Sequence, residues 1–102
     1  MRIEMIARAF VNKETIPASA NTAAVRVSST GRKLFSYKTC IAQWIKDAEH
    51  GGMDILVINA SEYTRATARL QGNVRYEASQ GTRPYICIEG VPFNTDDLQK
   101  YK

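Results

Sequence analysis

An α+β fold is predicted for this chain: one domain over residues 1–102, with a mostly antiparallel sheet of about five strands, one main helix over about 64–79, and a short C-terminal helix. Three observations predict it. Apolar residues alternate with a period of two through 2–12 and again from Phe35 to Ile45. Four successive aliphatics, Ile55 to Ile58, stand between turn formers, as in an interior strand buried on both faces. Between 64 and 79 the period becomes helical, with Ala66, Leu70, Val74 and Ala78 on one stripe and Thr67 beside them.

In chain order, 2–12 reads as a strand with Ile3, Met5, Ala7, Ala9 and Val11 on one face. The turn-rich stretch KETIPASANT, 13–22, holds Pro17 and reads as a loop, either a plain connection or a binding loop. Residues 23–28 form a short strand that pairs as a hairpin with 34–37 across a turn at Gly31, with Arg32 and Lys33 at its tip. From Leu34 to Lys46 both alternating sets are partly apolar. A long central strand, bent or bulged near Lys38, is expected, although Ile41, Trp44, Ile45 and Ala48 would also fit a helical face.

Gly51-Gly52 turns the chain into the 54–60 strand. Thr64 or Ser61 caps the main helix, Gly81 stops it, and Gly72 within it marks a kink or a close approach. Tyr85–Glu89 is a further strand. Asn94 or Thr95 then caps the last helix, where Asp96 and Asp97 suit the positive end of the dipole and Leu98 and Tyr101 dock it.

Bulk properties narrow the functional classes. No run approaches the roughly 18 apolar residues of a membrane span. The start, MRIEMIARAFVN, mixes charge with apolar residues and lacks the core of a secretory signal, so a cytoplasmic protein with no membrane partner is expected. Cys40 and Cys87 then read as two buried free thiols, with a disulfide as the alternative. The net charge of +4 is uneven: residues 1–38 hold seven Lys/Arg against two Glu. Such a balance suits nucleic acid or an acidic protein as partner.

Catalytic chemistry finds little footing. His50 is the single imidazole, in a Glu-His-Gly-Gly turn, and reads as a solvated turn residue, without Cys or Asp at metal-ligand spacing. No nucleophile elbow, HExxH, CxxC or phosphate loop occurs. The expectation is therefore a protein that is not an enzyme, with no catalytic residues, no cofactor and no metal. The candidate partner-binding residues are Arg65, Arg69, Asn73 and Tyr76, which share the helix face opposite the apolar stripe, together with Arg32 and Lys33 if the hairpin lies on the same side. Guanidinium forks engage phosphates and carboxylates, and Tyr can stack or anchor. A plain solvated helix face, partly neutralised by Glu62 and Glu77, is the competing reading.

The stretches KLFSYKTCIA (33–42) and SEYTRATARLQGNVR (61–75) resemble a pattern in short phage-borne proteins of an uncharacterised family, which carry an LYSYxTxIA-like strand and a Y-S-x-T-T helix start. The matching positions are Leu34, Ser36, Tyr37, Thr39, Ile41, Ala42, Tyr63, Thr64 and Thr67; Phe35 and Ala66 depart from the pattern, and no His follows in the helix. The resemblance implies a phage or mobile-element accessory protein that binds a host protein or nucleoprotein, an anti-CRISPR or other anti-defence inhibitor being one form, acting in the host cytoplasm. The alternatives from the residues themselves are a direct nucleic-acid binder using the basic helix face, and a self-assembling module that forms a homodimer through an edge strand, 1–12 or 85–89.

Overall fold

The computed structural model describes residues 1–102, His50 by its backbone alone, so the reading of that side chain lies outside the described residues. Helix α1, Ile3–Val11, replaces the strand expected at 2–12. The segment satisfies two periods at once. Ile3, Ile6, Ala7, Phe10 and Val11 fall at i, i+3, i+4, i+7 and i+8, so the helix buries Ile6 and Phe10, which alternation had left on the outer face. Met5, assigned to the core by alternation, is exposed. An edge strand at 1–12, and any dimer built on it, is thereby ruled out.

Five strands follow in the spatial order β1-β2-β3-β4-β5: β1 Arg26–Val27, β2 Lys33–Ser36, β3 Thr39–Asp47, β4 Met53–Asn59 and β5 Tyr85–Ile88. The expected hairpin forms with Arg26 opposite Phe35 and Val27 opposite Leu34. The single long strand expected over 34–46 is instead two antiparallel strands. The chain reverses at Tyr37-Lys38, where Ser36 pairs with Thr39 and Tyr37 takes a left-handed φ of 55°. A register shift between Leu34 and Phe35 leaves Ile41 unopposed, the bulge expected near Lys38 lying instead in the β2–β3 ladder. Both arms are buried on both faces, so no break in hydrophobicity flags the reversal.

β1 to β4 form an antiparallel meander, and β5 joins β4 in parallel after the crossover through helix α2, Arg65–Gln80. Thr64 caps α2 by accepting from the Thr67 amide. Its buried stripe is Thr67, Leu70, Gln71, Val74 and Ala78; Ala66, expected within it, is exposed. Gly72 marks no close approach: a Cβ there would meet nothing within 4 Å.

Two cores flank the sheet. On one face α1 and α2 pack against each other and over Leu34, Ala42, Trp44, Leu56 and Ile58. On the other, Val91 and Leu98 of the C-terminal segment cover Phe35, Cys40, Ile45 and Val57. That segment ends in a 3-10 turn, Leu98–Tyr101, capped by Asp97 rather than by Asn94 or Thr95. Asn94 is held elsewhere, in a left-handed turn with its amide on Thr39 Oγ1 at 3.1 Å. Leu98 docks as expected, while Tyr101 stays 38% exposed. Among the described residues no helix is long and apolar enough to cross a membrane.

Candidate binding face

The start of α2 is positioned by a hydrogen-bonded hub at the end of β4. Asn59 is fully buried. Its Nδ2 donates to the Cys40 carbonyl at 3.1 Å and to Tyr63 Oη at 2.9 Å, and its Oδ1 accepts from the Ser61 amide at 3.0 Å. Gln71 Nε2, from within α2, reaches back to the carbonyls of Asn59 (2.7 Å) and Ser61 (3.0 Å). Tyr63 Oη in turn donates to the Val91 carbonyl at 2.6 Å. β3, β4, α2 and the C-terminal segment thus meet at one polar knot, and every buried polar side-chain atom of the described residues has a partner.

With α2 so oriented, Arg65, Arg69 and Tyr76 point outward, Tyr76 at 60% exposure. Asn73 is only half-exposed, and its Nδ2 turns back to the Arg69 carbonyl at 3.0 Å. Glu77, expected to neutralise this face, turns toward α1 and pairs with Arg8 at 3.2 Å. Among the described residues no carboxylate lies within ion-pair distance of Arg65, Arg69 or Arg75.

The hairpin splits between the two ends of the sheet. Ser36 Oγ and Thr67 Oγ1 are 2.7 Å apart, which sets the Tyr37-Lys38 turn against the first turn of α2. The Asn94–Thr39 bond brings Phe93 to the same end, where its ring lies 6.2 Å from that of Tyr63. Tyr37 is 52% and Phe93 64% exposed, and Lys38 is exposed between strands. Lys38 therefore lies at the end of the sheet where α2 begins. Neither aromatic is among the candidate binding residues the sequence offers: Phe93 falls just after the expected turn, and Tyr37 falls inside an expected strand, marked only by the resemblance; the turn former Asn94 next to Phe93 is the one available signal.

Arg32 and Lys33 do not join that end. Lys33 begins β2 and Arg32 precedes it, about 10 and about 13 Å along the strand from Ser36 at about 3.3 Å per residue. Nor are they a free tip. Arg32 forks onto Asp54 at 3.0 and 3.2 Å, and Lys33 Nζ donates to the Asp96 carbonyl at 2.8 Å. Lys13 and Lys46 also meet Asp54, and Lys13 sits 4.5 Å from the centre of the Trp44 ring. The Arg32 guanidinium, then the Lys13 ammonium, hold the Asp54 carboxyl well below the usual carboxylate range.

The thiols differ. Both are free, but only Cys40 is buried, and burial pushes it up to about 12, so it is a neutral thiol at physiological pH. Cys87 is exposed on β5, against the expectation of two buried thiols. No three His, Cys, Asp or Glu side chains among the described residues are grouped to hold a metal ion. The chain matches no protein-family model, no curated protein and no solved structure.

Proposed function

We propose that the protein is a non-enzymatic binding protein that engages a host protein or nucleoprotein through the outward face of α2. The observation that supports this reading is the row Arg65, Arg69 and Tyr76, in which neither guanidinium has a carboxylate within ion-pair distance among the described residues, continued at its Arg65 end by Lys38 and the exposed rings of Tyr37 and Phe93. Arginine with aromatic side chains is the composition of an interface hot spot for a negatively charged partner. A phage-type anti-defence inhibitor, of the anti-CRISPR kind, is the narrower form; it rests on the resemblance over 33–75 alone.

The same aromatic and cationic end favours a second reading, direct binding of a nucleic-acid strand by stacking and phosphate contacts. One experiment separates them. Wild type and the Arg65→Glu/Arg69→Glu double variant are compared for capture of partners from host lysate and for gel shift of naked DNA and RNA at about 50 mM salt. A partner captured by wild type and lost by the variant, with unchanged circular dichroism, supports the first reading. A gel shift that weakens steeply with salt, its log-log slope falling by about two in the variant, supports the second. Unchanged binding in both assays refutes the assignment of this face.

A further inference from the structure

The outer edge of β5 adjoins the C-terminal part of the α2 face, where Tyr76, Tyr85 and Cys87 line one cavity. The amides of Leu56 and Ala60 donate to the carbonyls of Pro84 (3.1 Å) and Ile88 (2.7 Å), so the even-numbered residues of β5 turn their backbone groups inward to β4. In a parallel ladder the alternate residues face away. The N–H and C=O groups of Tyr85, Cys87 and Glu89 therefore point out from the sheet.

Natural edges are blunted by shortness, charge, proline or bulges. The opposite edge, β1, is two residues long and carries Arg26. β5 is twice as long and has no charge, proline or bulge within it: its four residues are Tyr, Ile, Cys and Ile, with Tyr85 40% exposed and Ile86 and Ile88 only half-covered. Charges appear only beyond its ends, Arg83 on one side and Glu89 on the other, and both are exposed.

We propose that β5 is the seam of a symmetric homodimer, pairing antiparallel with β5 of a second copy so that the two sheets continue as one of ten strands. Opposite ends of an antiparallel pair meet, which makes the Arg83–Glu89 arrangement self-complementary. The register that sets Arg83 against Glu89 of the second copy also sets Tyr85 against Cys87 and Ile86 against itself on the two-fold axis. All outward-facing residues then fall at hydrogen-bonded pairs, and the half-covered Ile86 is buried against its counterpart. The axis stands perpendicular to the sheet, so both α2 helices lie on the same side.

The register makes the test specific. Light scattering across a concentration series is expected to show a monomer–dimer equilibrium in the micromolar-to-millimolar range, as befits a small seam. Arg83→Glu weakens it about tenfold or more, because symmetry applies the change twice, and Arg83→Glu/Glu89→Arg restores it. In Tyr85→Cys, the new thiol faces Cys87 of the second copy at a Cα separation of about 5.5 Å, so oxidation yields a reducible dimer. A strict monomer at millimolar concentration overturns the proposal, as does a charge-reversed pair that fails to recover. A wild-type dimer that crosslinks efficiently through Cys87 to its own copy overturns this register.

Discussion

Asn59→Ala is the substitution whose cost the structure defines best. The change removes three side-chain hydrogen bonds, to the Cys40 carbonyl, Tyr63 Oη and the Ser61 amide, at a site with no solvent exposure. Each net bond is worth about 1 kcal/mol, and orphaned partners add their own desolvation, so the loss is about 3–4 kcal/mol. A domain of this size holds about 5–15 kcal/mol in all. Urea unfolding, followed by the fluorescence of buried Trp44, reads the change. With a slope near 1.2 kcal/mol/M the midpoint falls by about 2.5–3.3 M. Asn59→Asp keeps the shape but buries a carboxylate, whose pKa the site raises. A raised folded pKa contributes stability below the ordinary carboxylate pKa and loses it as pH rises, so this variant should be relatively stronger in acid. A loss under about 1 kcal/mol for Asn59→Ala would falsify the hub as the device that positions α2, since even one unsatisfied buried partner costs about that much.

Gly72→Ala should stabilise the protein by about 0.5–1 kcal/mol, since the position is an open helical site and Ala is the better helix former; a destabilised variant in thermal melts would reveal a contact the open site does not show. A thiol reagent should titrate one cysteine in the native protein, Cys87, and two in denaturant. Because Cys40 keeps its proton up to about 12 when folded but only to its ordinary value of 9.0 when unfolded, stability should fall as pH rises through that window. Cys40→Ala should flatten that limb, and an unchanged alkaline slope would contradict the burial of this thiol.

How much of this was readable from the chain depended on whether one period stood alone. The strand expected at 54–60 forms over 53–59 and the helix expected at about 64–79 over 65–80, because a run of aliphatics behind Gly51-Gly52, and a capped stripe ending at Gly81, admit one reading each. Residues 3–11 satisfied alternation and helical spacing together, and a helix long enough to cover α2 decided between them through tertiary packing. The Tyr37-Lys38 reversal was unreadable because it lacks Gly, Asn or Asp and joins two arms equally buried. For the candidate face, Arg65, Arg69 and Tyr76 followed from helix geometry alone. Which end of the sheet received Lys38 and which received Arg32 depended on that reversal, and on contacts such as Phe93 beside Tyr63, thirty positions apart in sequence. No local pattern encodes such a meeting.

The C-terminal segment has a consequence for how the molecule opens. The meander is stitched between chain neighbours, whereas the Asn94 and Leu98 amides bond to Thr39 and Gln43 across 55 residues. Closing so long a loop comes late and is undone early, because its entropy is repaid by only two large apolar side chains, Val91 and Leu98. The strap is thus a natural sub-global unfolding unit. When it lifts, Phe35, Cys40 and Val57 meet water while the helical side stays sealed, and the amide protons of Asn94 and Leu98 exchange together ahead of those in β3 and β4.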